Sequence, residues 1–259
     1  MRQFLAVFHT EGTKILNSKM VWITSAAFTI GPLMAAFFMF ILKNPDFAET
    51  SGLLGAKAQL AGDATWPSYF SLLAQIISIG GVIVFGFITS WVFGREYSDQ
   101  TVKDLLALPF SRGMIVYAKF SAILITTLCL TIYIFSIGLL LGGVIGLPGW
   151  SASVLEHGLF IFFISALLTM ALSTPVAFFA CYGKGYLAPL GFIIVMVVLA
   201  QIIGAIGYGD YFPWAIPALF SGTTGEESPL TLLSLTIILL TSIIGFTGTS
   251  AWWKFADHH

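Results

Sequence analysis

Residues 94–119 read GREYSDQTVKDLLALPFSRGMIVYAK and form the only long interval between hydrophobic runs that is rich in both charge signs. Arg95, Lys103, Arg112 and Lys119 stand there against Glu96, Asp99 and Asp104. Val102, Leu105, Leu106 and Pro109 recur at helical spacing, and Asp99 precedes Lys103 by four residues, the acid-first order that supports a helix. The pattern predicts a short amphipathic helix that stops at Leu108, because Pro109 has no N–H to continue it and disfavours helical backbone in the residue before it. With an apolar ridge held at a membrane surface, such a helix fits as a docking element for another protein.

What surrounds this interval is membrane. The 259 residues are 58% hydrophobic and 9% charged, far outside the range of soluble domains. No soluble domain gathers the basic residues, so no nucleic-acid partner is expected. Cys129 and Cys181 lie within or at the end of apolar runs, with neither a disulfide framework nor metal-ligand spacing, and both read as packing residues.

Residues 1–20 carry a broken apolar stripe of Phe4, Leu5, Phe8, Ile15 and Leu16 among polar residues, as expected of a helix lying in the headgroup plane. Apolar runs follow at about 21–42, 70–93, 114–141, 156–180, 187–208 and 229–252. Each is near the ~20 residues needed to cross ~30 Å of hydrocarbon. The expectation is an all-α polytopic protein, a single transmembrane domain over 1–259 with six spans. Gly31-Pro32 is expected to bend the first span, and a short helix is expected around Gly52 to Leu60. Of the eleven Lys and Arg residues, nine fall on the side of residues 94–113, and only Lys43 and Lys57 on the other. The positive-inside rule makes the nine-residue side, with both termini, cytoplasmic.

The external stretch DYFPWAIPALFSGTTGEESP, 210–229, is too apolar in its first half for an ordinary solvated turn. Two readings are open. Short helices around Pro213, Trp214 and Pro217 dip back into the outer leaflet with their backbone buried in protein, or the stretch is an interfacial loop anchored by Tyr211 and Trp214.

Gly183-Lys184-Gly185 lacks phosphate-loop spacing, and HExxH, GxSxG and EF-hand patterns are absent, so no catalytic residue, metal site or bound cofactor is expected in this chain. No Asp, Glu, Lys or Arg lies in the middle of a span, which argues against a proton-coupled carrier. Ser165, Thr169 and Ser173 repeat every four residues on the fourth span, as helix packing uses small residues. Gln75, Ser78, Phe85 and Thr89 share roughly one face of the second span, and Gln201, Gly204 and Tyr208 one face of the fifth. These faces either line a path for an amphiphilic substrate or pack between helices.

Glu96, Thr101, Leu105-Leu106, Pro109, Ser111-Arg112 and Lys119 resemble the E-x-x-x-G-T-x-x-x-L-L-x-x-P-x-S-R pattern, followed by Lys, between the second and third helices of type-2 ABC exporter permeases. Glu11, Lys14, Ser18, Lys19 and Trp22 are similar to that family's entry into its first helix. Gln100 departs from the pattern, which has Gly there, and is expected to tighten the turn entering the helix. The resemblance implies a permease without an ATPase of its own, in a bacterial plasma membrane. Two protomers, as a homodimer or heterodimer, would work with separate cytoplasmic ABC ATPase subunits that bind ATP and Mg. Residues 94–113 become the coupling region: Leu105, Leu106 and Pro109 the apolar contact, Thr101 the helix start, Glu96 and Arg112 polar anchors. The second and fifth spans would line the route, with Pro213, Trp214 and Pro217 helping to close it externally. The implied cargo is amphiphilic, such as an antimicrobial peptide, an antibiotic or a lipid. The alternatives are an ATP-independent secondary carrier and a transporter-like assembly or sensory scaffold.

Overall fold

The computed structural model of the protein describes residues 2–44, 63–107, 109–223 and 228–255. The helix expected around Gly52 to Leu60 lies outside them. Along the chain run α1 (Arg2–Leu16), α2 (Lys19–Lys43), α3 (Trp66–Ser98), α4 (Val102–Ala107), α5 (Arg112–Ile145), α6 (Ala152–Leu172), α7 (Thr174–Tyr182), α8 (Leu187–Ala205), α9 (Ile216–Phe220) and α10 (Leu232–Phe255). Among the described residues, six stretches are long and apolar enough to cross a membrane, with α6 and α7 together forming the fourth. The protein is an all-helical, multi-pass membrane protein.

Serine hydroxyls start three of these helices. Ser18 accepts the Met20 N–H (2.9 Å), Ser111 the Met114 N–H (3.3 Å) and Ser151 the Val154 N–H (3.2 Å). Each satisfies one donor that the first helical turn leaves without a backbone partner. α2 remains a continuous helix through Pro32.

α3 is the central post of the fold. It packs against α2, α5, α6, α7, α8 and α9, with α6 its most extensive neighbour. Ser165, Thr169 and Ser173 are all buried, and Thr169 meets α3 at Gly81. Small residues on both helices bring the two backbones close, which is how spans associate when lipid removes the hydrophobic drive between them.

The fourth span breaks between Leu172 and Thr174, where Pro175 opens α7. Proline removes a hydrogen bond and crowds the carbonyl four residues back, that of Ala171. That carbonyl is recovered by two hydroxyls, Thr174 Oγ1 (2.8 Å) and Ser242 Oγ of α10 (3.0 Å). α10 can approach because Gly245 lies against the break: a Cβ there would sit 2.4 Å from the Pro175 nitrogen.

Candidate functional site

α1 buries Val7, Glu11 and Ile15, an i, i+4, i+8 face that puts a carboxylate in the middle of an apolar strip packed on α5. The partner is Lys119 of α5, which is fully buried. Its ammonium donates to Glu11 Oε2 (2.8 Å), Glu96 Oε1 (3.0 Å) and the Val92 carbonyl (3.2 Å). These acceptors satisfy all three donors of a lysine. Lys14 lies across the same carboxylates, 3.0 Å from Glu11 Oε1 and 3.1 Å from Glu96 Oε1. Two cations thus face two anions, and the group is neutral as a whole. Burial by itself disfavours the charged Lys14 ammonium, but the Glu11 and Glu96 carboxylates outweigh it and hold its pKa above the ordinary lysine value.

The second oxygen of Glu96 reaches the charged interval. Thr101 Oγ1 donates to Glu96 Oε2 at 2.6 Å, and the Thr101 carbonyl accepts the Leu105 N–H at 3.0 Å. Thr101 therefore starts α4 while tied to the end of α3. The turn between them is a Schellman motif, with Thr101 N–H bonded to the Glu96 carbonyl (2.9 Å) and Gln100 N–H to that of Tyr97 (3.2 Å). Such a motif needs left-handed backbone at its C′ position, and Gln100 takes it with φ of 58°. Glycine would adopt this conformation without strain, which accounts for the Gly of the resembling pattern.

α4 runs from Val102 to Ala107, with Val102 buried, Lys103 and Asp104 exposed, and Leu105 half-buried against the main core. Leu106 lies within α4, though its side chain is outside the described residues, and Pro109 is exposed. Arg112 turns the other way, donating to the Trp253 (3.4 Å) and Lys254 (3.2 Å) carbonyls at the end of α10. The interval is thus fastened at one end to α1, α3 and α5, and at the other to α10.

At the opposite end of α3, three polar side chains hold the stretch that precedes α10. Ser71 Oγ donates to the Ser221 carbonyl (3.2 Å), Gln75 Nε2 to that of Gly222 (3.2 Å), and buried Ser78 Oγ to that of Pro217 (2.9 Å). Beneath this stretch a cavity of about 180 Å³ is lined by Ser78 and Val82 of α3, Gln201 and Gly204 of α8, and Trp214 and Thr223. Trp214 packs edge-on against Phe192 of α8, with ring centroids 5.4 Å apart. Pro213 is half-buried and Pro217 buried.

A family model described as ABC-2 family transporter protein matches residues 7–200. The chain belongs to the ABC-2 family. It is also 31% identical over 185 residues to the bacitracin transport permease protein of Bacillus licheniformis, a match covering 71% of this chain and 88% of that protein. The ABC-2 match runs from α1 into α8, so it contains the whole ion cluster and α4.

Within this ABC-2 fold, the residues expected on a route do not all meet. Ser78 and Gln201 share the cavity, while Gln75 is spent on the Gly222 carbonyl and Tyr208 is exposed outside the lining. Phe85 and Thr89 lie away from the cavity lining. Both are fully buried in the core, Phe85 edge-on to Phe28 of α2 and Thr89 bonded to the Phe85 carbonyl, because α3 is enclosed by neighbours on that side. Cys181 is a packing residue that receives the Trp253 Nε1–H at 3.2 Å, but Cys129 is exposed.

The Glu11–Lys119 contact escaped sequence reading because its members are 108 residues apart and each resembles a boundary charge. One signal was available: Glu11 falls four residues from both Val7 and Ile15, on the buried side of the first helix.

Proposed function

We propose that this chain is the permease subunit of an ATP-driven exporter, powered by separate cytoplasmic ATPase subunits that dock on α4. The observation that carries this reading is the attachment of α4. A push on so short a helix would be lost in an ordinary loop, but Thr101 is tied to Glu96, and Glu96 to Lys119 and Lys14. Displacement of α4 is thereby delivered to α3, α5 and α1 together, as a rigid-body change of the spans requires. Leu105, Leu106 and Pro109 supply the apolar contact, and ATP and Mg are held by the partner. Lys103 and Asp104, exposed on the same helix, add polar contacts at its rim.

The orientation that goes with this reading puts both termini and α4 in the cytoplasm and the 210–229 stretch outside. Ser71 and Ser78 are seven residues apart on α3, about 10 Å at a helical rise of 1.5 Å, so the stretch they hold descends along α3 by that distance. Its carbonyls find donors there, which is what a re-entrant segment needs. Pro213, Trp214 and Pro217 then act as an external gate above the Ser78–Gln201 cavity. A second permease protomer, identical or homologous, completes the route by packing against the exposed apolar faces of α8 and α10.

The cargo of this reading is amphiphilic, and the name of the Bacillus licheniformis relative makes bacitracin the first candidate. The test is uptake of labelled bacitracin into inside-out vesicles containing this chain and its ATPase. Uptake that requires ATP and survives an uncoupler is expected. Uptake without ATP that an uncoupler stops would establish a secondary carrier instead.

A further inference from the structure

A cleft of about 600 Å³ opens between α1, α2 and α5, floored by Ile88 of α3. No described residue of α8 or of the 210–229 stretch lines it, and its lining shares nothing with that of the Ser78–Gln201 cavity. Its walls are apolar apart from His9, Thr13, Ser25, Thr126 and the Tyr133 hydroxyl, which bonds Thr29 at 3.1 Å. Along α5 the lining runs from Ala122 to Tyr133. That interval spans about 17 Å of helix, close to the ~15 Å of hydrocarbon in one leaflet.

The end of the cleft nearest α1 is polar, and one lysine stands close to it. Lys19, exposed, lies three residues before the lining Trp22, itself 72% exposed, and His9 and Thr13 stand at the same end. An interfacial tryptophan beside a lysine is how a membrane protein meets phosphate headgroups. The apolar length thus matches one chain of one leaflet, and the Lys19 charge one helical turn from the lining Trp22 suits an anionic headgroup.

We propose that this cleft binds an anionic phospholipid from the leaflet on the α1 side, with an acyl chain between α2 and α5 and the phosphate at Lys19. The lipid lies against the side of α1 that carries His9 and Thr13, while Glu11 and Lys14 engage the ion cluster from the same helix.

The test uses the full chain in nanodiscs of phosphatidylglycerol and phosphatidylcholine, with a photoreactive diazirine placed midway along the phosphatidylglycerol chain. Labelling is expected to concentrate on 21–26 and 122–133. It should fall several-fold in Ser25→Trp and Thr126→Trp, which fill the cleft from different helices, and in Lys19→Glu. With the same diazirine on phosphatidylcholine, Lys19→Glu should make little difference. Even labelling over the exposed faces of α8 and α10 as well, unaffected by either tryptophan, would overturn the proposal. So would efficient bismaleimide crosslinking of Cys129 between two copies in the membrane, because a second copy would then cover the cleft.

Discussion

Lys119 and Glu11, 108 residues apart in sequence, meet at 2.8 Å with the lysine fully buried and the glutamate 3% exposed. Removing one member of a buried ion pair strands the other, which costs about 3–5 kcal/mol. Lys119→Met leaves Glu11 and Glu96 facing Lys14 alone, so a large drop in thermal midpoint in detergent is expected. Adding Glu11→Gln restores charge balance between Glu96 and Lys14 and should recover part of the loss. Simple addition of two destabilisations would show that the groups do not act together.

The pH dependence of the cluster has a definite sign. Lys14 is raised above the ordinary lysine value of 10.5, so its contribution is fully present below that value and is lost as pH climbs through the higher folded-state pKa. The stability difference between wild type and Lys14→Gln should therefore be flat through neutral pH and vanish on the alkaline side. Thermal midpoints measured across pH check this, and loss of the difference between pH 6 and 8 would contradict it.

Gln100 holds left-handed backbone at a position suited to glycine. Gln100→Gly should stabilise the α3–α4 turn by up to about 1–2 kcal/mol, the strain of a side chain in that region, less glycine's greater unfolded-state entropy. Gln100→Val should do the opposite. Both are read from thermal midpoints, with hydrogen exchange at residues 99–105 reporting whether the effect is local.

The 217–222 carbonyls rest on α3 side chains. Gln75→Ala with Ser78→Ala removes two of these donors while leaving the apolar packing of Trp214, Ile216 and Phe220. Faster hydrogen exchange over 213–223 is expected, with little change in the α1 peptide at the far end of α3. Unchanged exchange would mean that apolar packing alone holds the stretch.

The six spans were legible because apolar run length reports hydrocarbon thickness directly, and Pro109 marked where the helix before it ends. Run length does not report how far a helix continues beyond the bilayer. α3 has 33 residues, about 50 Å of helix, against the 24 expected from its apolar run, because its ends are enclosed by protein at Trp66 and Glu96. Nor does a pattern on one helix say which neighbour covers it. Gln75, Ser78, Phe85 and Thr89 looked like one face, yet the first two meet the 217–222 carbonyls while the others meet the core. The ion cluster was the least legible feature, since a lysine near a span end looks solvated until α1 is laid across it.

If α4 is where a separate ATPase delivers its work, loss of its apolar ridge must release that partner. Leu105→Asp with Leu106→Asp should leave the chain inserted and its ion cluster intact, while abolishing co-purification with the ATPase subunit. Full retention of the ATPase by the double variant would show that the ATPase does not dock on α4.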